Sequence, residues 1–344
     1  MPTPAPFEQL VRTVDEWQRE GVGAVLARVA EYRGFGGARR GELLAINVRG
    51  EQAGELLRGT ATATIVASAT PMLSRRRGAA IVDVRVPSDE AVAAGLSCGG
   101  EATIIAASLS EVPDRLWAAL RMRTSVALAA RSSSPETVLV VSQDGATAGS
   151  LGDLDLDTRV IDRVRELLDT GVAVAERFAG DVLLQIYHPV RRLLVVGEGE
   201  LADAILRQAE LLEWDSTWAA DLETAQRQLV GLGSSDGVVV LTHSAAVDAP
   251  VLAAALRGAV GYVGALGSRG TQARRADQLR ALGLEPGEIA RIYGPVGLDI
   301  RASAPAETAV AICAEILAVA AGRQPISLRD SSRPIHAEAE AVAV

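Results

Sequence analysis

The block Leu193-Leu194-Val195-Val196-Gly197-Glu198-Gly199-Glu200-Leu201-Ala202 constrains the fold more than any other part of the chain. Four consecutive apolar residues read as a strand buried on both faces, and helical periodicity begins at Leu201. Between them stands Gly-x-Gly-x-x-Ala. Gly197 permits a tight turn, Gly199 lets backbone approach a pyrophosphate, and Ala202 allows the helix to pack closely on its strand. The helix N-terminus offers free N–H groups and a positive dipole end to phosphates. The alternation continues downstream, with strands at 216–220, 237–241 and 260–264 and helices at 201–212, 222–229, 249–256, 271–282 and 306–321. Such alternation predicts the α/β class and a parallel sheet covered by helices.

The layout is that of a Rossmann-like domain. Asp221 falls about twenty residues after the glycine motif, at the end of the second strand, where a carboxylate would accept hydrogen bonds from a ribose diol and repel a 2′-phosphate. NAD is therefore favoured over NADP. The alternative is a Rossmann-shaped sheet with an empty site, which Glu198 and Glu200 favour, because two carboxylates in the phosphate loop oppose an anion. Further polar residues follow the strands at the edge where open α/β sheets bind ligands: Thr242 and His243, Ser268 and Arg269, and Asp299 ahead of the last helix. His243 reads either as an acid or as a hydrogen-bonded loop histidine. Arg269 reads as an anion clamp or a helix-start surface charge, and Asp299 as a site residue or a loop or cap carboxylate. Arg274-Arg275 reads as a solvated helix face.

Upstream of the boundary near 188 the pattern differs. Leu10, Val11, Val14 and Trp17 predict an amphipathic helix over 7–20, followed by a strand at 22–30 and a hairpin of 42–48 with 52–57 around Arg49-Gly50. A helix at 56–73, strands at 79–86 and 102–107, a second strand pair at 125–130 and 137–142, a helix at 158–170 and a strand at 182–187 complete a mixed α+β domain. Ala53-Gly54 and Ala148-Gly149 follow their turn glycines at the same distance, which is either a weak internal repeat or chance likeness between strand-turn-strand pieces. The expected division is 1–188 for this domain, 189–323 for the Rossmann-like one, and a tail at 324–344 that is mobile or draped over a neighbour.

Composition narrows the function. The 344 residues carry a formal net charge of −9 with no basic stripe, which disfavours nucleic acid, and the aromatics, 3% of the chain, are too few for base-stacking platforms. Only two cysteines occur, so a disulfide scaffold is not expected and the cytoplasm is the default compartment. No secretory signal is visible at the N-terminus, and the apolar stretches are interrupted by Asp248, Arg257, Glu307 and Glu315 short of a membrane span. Three scattered histidines and two distant cysteines make no local zinc site, and no nucleophile elbow or Ser-His-Asp pattern supports hydrolysis. Cys313 lies in an Ala-rich helix and reads as core. Cys98 sits in Gly95-Leu96-Ser97-Cys98-Gly99-Gly100, where glycines leave a thiol uncrowded and backbone amides available to an anion or sulfur-bearing ligand; a plain loop cysteine is the alternative.

Several blocks together resemble the XdhC/CoxI family: Leu241-Thr242-His243, Gly264-Ala265-Leu266-Gly267-Ser268-Arg269, Gly294-Pro295-Val296-Gly297-Leu298-Asp299, Pro305-Ala306-Glu307 and Ala314-Glu315-Ile316-Leu317, with Trp17, Glu20-Gly21 and the Cys98 loop upstream. The resemblance implies an N-terminal XdhC/CoxI domain joined to a Rossmann domain, commonly as a homodimer. It implies an accessory factor that binds the molybdenum cofactor (molybdopterin), protects it during sulfuration by a cofactor sulfurase, and delivers it to an apo molybdenum hydroxylase of the xanthine dehydrogenase or carbon monoxide dehydrogenase type. In that role Cys98, with Gly99 and Gly100, would contact molybdenum or sulfur, while Gly197, Gly199, Ala202, Asp221, Thr242, Ser268 and Asp299 would hold a dinucleotide. The alternative is an NAD(P)-dependent oxidoreductase acting on a small molecule, with Cys98, His243 and Arg269 as candidate catalytic residues, so whether the chain is an enzyme stays open. Two departures stand out. The family's Gly-Gly-Cys-Val-Glu block is replaced by Leu57-Arg58-Gly59-Thr60-Ala61-Thr62-Ala63, and its Gly-Ala-Gly-His loop by Gly197-Glu198-Gly199-Glu200. Cys98 would act without a second thiol.

Overall fold

The computed structural model describes residues 6–36, 41–168, 173–242 and 244–331. The chain divides into two compact units, Met1–Pro189 with Leu328–Val344, and Val190–Ser327. Of the sequence-defined tail, 332–344 lie outside the described residues.

The first unit runs α1 (Pro6–Arg19), β1 (Ala24–Gly34), β2 (Leu43–Asn47), β3 (Gln52–Gly54), α2 (Thr62–Arg75), β4 (Ala79–Val86), α3 (Ser88–Ala93), β5 (Gly100–Ser108), α4 (Asp114–Arg121), β6 (Val126–Arg131), β7 (Val138–Ser142), β8 (Thr147–Gly149), α5 (Leu154–Leu168), β9 (Val174–Phe178) and β10 (Val182–Tyr187). The strands form two antiparallel sheets of orders β3-β2-β1-β5-β4 and β8-β7-β6-β10-β9. These are one topology used twice, each copy preceded by a helix and carrying another between its third and fourth strands. The paired glycines explain the likeness noted in the sequence. Gly54 and Gly149 adopt φ of +75° and +83°, and a Cβ on either would stand 2.2 Å from a carbonyl oxygen, that of Leu43 or Val138. Only glycine fits at the end of either hairpin.

Packing follows the pleat. Val25, Ala27 and Val29 on one face of β1 bury against α2, while Leu26 and Ala30 on the other join Leu128, Ala130, Val140 and Leu183 of the second sheet. The same alternation in β6 and β10 places Ala127, Leu184 and Ile186 beneath Val160 and Val164 of α5. The core between the sheets is closed by Leu10, Val14 and Trp17 of α1 and by Leu116 and Trp117 of α4.

The second unit runs β11 (Arg192–Val196), α6 (Glu200–Leu211), β12 (Asp215–Ala219), α7 (Leu222–Leu229), β13 (Gly237–Val240), α8 (Ala245–Arg257), β14 (Tyr262–Ala265), α9 (Arg269–Ala281), α10 (Pro286–Ile289), β15 (Ile292–Tyr293) and α11 (Pro305–Ala320). All five strands are parallel, in the order β12-β11-β13-β14-β15. Ala202, Ile205, Ile312 and Ile316 from α6 and α11 cover one face. Ala225, Leu252 and Leu279 from α7, α8 and α9 cover the other. The strand order reverses between β11 and β13, and the crevice beyond their carboxyl ends is where a fold of this kind binds ligands.

Candidate functional site

Cys98 lies in the first unit, in the connection between β4 and β5, and is exposed. The equivalent connection in the second half, between β9 and β10, is the short turn at Ala179-Gly180-Asp181, so this loop is an addition to the duplicated framework. It is tied to the end of β1 by a set of hydrogen bonds. The Ser97 N–H donates to the Gly36 carbonyl (2.8 Å) and the Phe35 N–H to that of Gly99 (3.2 Å). The Gly36 N–H donates to the Cys98 Sγ (3.2 Å). The two flanking glycines serve packing: a Cβ at Gly99 would lie 2.4 Å from the Val86 carbonyl oxygen and one at Gly100 2.4 Å from that of Arg33. The Gly99 N–H is already taken by Ser88 Oγ (3.3 Å). Gly36, which the sequence reading did not single out as a partner of the thiol, is the residue that completes the loop. Its neighbour Gly37 lies outside the described residues.

In the second unit a crevice of about 430 Å³ is lined by Gly197, Glu198, Glu200, Leu201, Ala220, Leu241, Thr242 and Leu266. Gly197 adopts φ of +127°, and a Cβ there would meet that of Leu241 at 3.1 Å; Gly199 adopts φ of +104° at the start of α6 with open space around it. Ala202 is buried against the sheet. These three positions have the backbone that a nucleotide-binding turn demands. Asp221 caps α7, accepting from the Thr224 N–H (2.8 Å) and hydroxyl (3.0 Å). Those bonds, the backbone one first, hold its carboxyl below the usual range. Ser268 caps α9 through the Thr271 N–H (3.3 Å). Arg269 and Asp299 are exposed and outside the crevice lining, and His243 lies outside the described residues. The Asp221 carboxylate thus bonds within its own helix cap, and Glu198 and Glu200 stand at the phosphate turn.

Beneath the crevice runs a buried polar network. Thr242 Oγ1 donates to Asp248 Oδ1. Arg275 Nη2 donates to Asp248 Oδ2 (2.6 Å), and Arg275 Nη1 to the Leu266 carbonyl (3.1 Å) and Gln272 Oε1 (2.7 Å). This corrects the expectation of a solvated Arg275: its side chain is 4% exposed and neutralised by Asp248. The signal was Asp248, the one carboxylate in a helix that is apolar up to Arg257 at its end, since a buried charge demands a partner. On the other face Glu315 accepts from the Tyr262 hydroxyl and the Gly297 N–H (3.0 Å), while Tyr262 stacks on Tyr293 with centroids 4.8 Å apart. A Cβ at Gly264 would lie 2.7 Å from Val296, and one at Gly294 2.6 Å from Gln272. The two sequence blocks thus fit one another and α11. Cys313 is core as expected, 2% exposed, with burial pushing its thiol up to about 11. Among the described residues no group of histidine, cysteine or acidic side chains could hold a metal ion, and no helix is long and apolar enough to cross a membrane.

Residues 193–316 match the XdhC Rossmann domain model. Over 133 residues the chain is 31% identical to the molybdenum cofactor insertion chaperone PaoD of Escherichia coli, covering 39% of this chain and 41% of that protein. It is 25% identical over 225 residues to the uncharacterized protein YqeB of the same organism, covering 55% of this chain and 42% of that one. These matches span less than half the length of either curated relative. A crystal structure of a xanthine dehydrogenase from Bacillus halodurans is similar with a TM-score of 0.56 at 17% identity, over 94% of this chain and 98% of that one, a likeness of fold alone. The XdhC/CoxI resemblance drawn from the sequence blocks is borne out.

Proposed function

We propose that this chain, carrying an XdhC Rossmann domain, is an accessory factor that holds the molybdenum cofactor and passes it to an apo molybdenum hydroxylase. The observation that carries the reading is Cys98, an exposed thiol on a loop added to one half of a duplicated framework and fixed by the Gly36 N–H. Cysteine sulfur is a soft ligand suited to molybdenum. Exposure lets a bulky cargo reach it and leave again. The Escherichia coli relative named as a molybdenum cofactor insertion chaperone supports the same role. A cofactor sulfurase as second partner, a homodimeric state and a cytoplasmic location belong to this proposal.

The test is deletion of the gene, followed by measurement of molybdopterin content and hydroxylase activity. Both fall in the deletion strain and recover with the wild-type chain but not with Cys98→Ser. Unchanged values in the deletion strain sink the proposal.

A further inference from the structure

The core between the two sheets of the first unit contains a charge with no counter-charge among the described residues. Arg28, on the inner face of β1, is 2% exposed. Its Nε donates to Gln185 Oε1 (2.8 Å), and the Gln185 amide is fixed in turn by donation to the Val29 carbonyl (2.8 Å). Among the described residues the buried Arg28 Nη2 has no hydrogen-bond partner, nor has the hydroxyl of Tyr187, two residues beyond Gln185 on the same face of β10. The two side chains are electrostatic neighbours, the guanidinium charged and the phenol neutral. Burial draws the Arg28 guanidinium down to about 10, which leaves it charged at neutral pH.

The duplication shows that the framework does not require this cluster. Ala24 faces Asn47 where Val126 faces Ser142, so Arg28 corresponds to Ala130 in the second half. By the same register Gln185 corresponds to Ala107. Where this chain buries another arginine, Arg275, it supplies a carboxylate, that of Asp248. An uncompensated buried charge is strongly destabilising. A water would satisfy hydrogen bonds but leave the charge. Both orphaned groups can donate, so the complementary ligand is an acceptor carrying negative charge, small enough to be enclosed by side chains that are themselves 2% exposed.

We propose that Arg28 and Tyr187 form a buried site for a small monovalent anion of halide size. The full chain is melted in sodium chloride and in sodium gluconate, whose anion is too large to be enclosed, at matched ionic strength. The expected result is a saturable rise in Tm with chloride of about 3 °C or more, abolished in Arg28→Met and reduced in Tyr187→Phe. Arg28→Met removes the charge rather than stranding it, and Tyr187→Phe keeps the ring, so at least one variant folds. Crystals grown in sodium bromide are expected to show an anomalous peak beside Arg28 Nη2. Equal melting in both salts, a chloride effect that persists in both variants, or a site without anomalous signal would each overturn the proposal.

Discussion

Arg275 reaches back 27 residues along the chain to place its Nη2 2.6 Å from Oδ2 of Asp248, with both side chains inside the second unit. The pair also holds Thr242 and the Leu266 carbonyl, so it shapes two walls of the crevice. Asp248→Asn or Arg275→Met leaves one charge buried alone and is expected to cost about 3–5 kcal/mol. Replacing both residues by leucine is expected to cost less than either single change, because no charge remains. Urea midpoints at unchanged m-value check both expectations.

The two cysteines differ sharply in access. Under native conditions iodoacetamide is expected to modify Cys98 alone, since Cys313 is 2% exposed with its thiol pushed up to about 11. A second adduct appears only on unfolding. Gly36→Ala brings a Cβ to 3.2 Å from Ser97 Cβ and 3.6 Å from Cys98 Sγ, which crowds the thiol and slows its labelling. Intact-mass spectrometry over time reads both outcomes.

Asp181, in the turn before β10, accepts from Ser132 Oγ (2.5 Å), Arg131 Nε (2.8 Å), Ser133 Oγ (2.8 Å) and the Ser133 N–H (3.0 Å). These bonds, that of Ser132 foremost, hold its carboxyl well below the usual range. A carboxyl whose folded pKa is depressed stabilises the fold above its unfolded value and loses that contribution as pH falls through the folded one. Asp181→Asn is expected to cost about 2 kcal/mol at pH 7. The difference from wild type shrinks as pH falls below about 4. Denaturation midpoints at pH 7 and pH 3 decide it.

The parallel sheet was legible because strands buried on both faces read as unbroken apolar runs, as in Leu193–Val196 and Gly237–Val240, set off by helices of regular period. The first unit was legible only in part. β9 reads Val-Ala-Glu-Arg-Phe, whose charges suggest a loop; Glu176 is nevertheless buried because Arg163 reaches it, and Arg177 pairs with Glu31 in the other sheet. Those partners are distant in sequence, so no local pattern announces them. α4 also went unread, although Leu116, Trp117 and Leu120 have helical spacing. At the site the glycines were legible from their conformational demands, while the Asp221 cap and the Gly36–Cys98 contact depend on which donor stands nearest in the folded chain.

The crevice of the second unit is expected to reject dinucleotides on electrostatic grounds. A pyrophosphate on the turn at Gly197–Glu200 would bring its negative charges against Glu198 and Glu200, both at the crevice wall. The ribose diol would have to compete with Thr224 for Asp221. Millimolar NAD or NADP should therefore leave the Tm of the wild-type chain unchanged. Removing both carboxylates in Glu198→Ala/Glu200→Ala relieves the repulsion and keeps the free N–H groups of α6, so affinity for either dinucleotide should rise about tenfold or more. Asp221→Ala should lower stability by uncapping α7 and leave nucleotide affinity as it was. Calorimetric titration of the wild type and these variants separates charge at the turn from loss of the cap. A wild-type chain that binds NAD tightly would show that the two glutamates turn away from the phosphates.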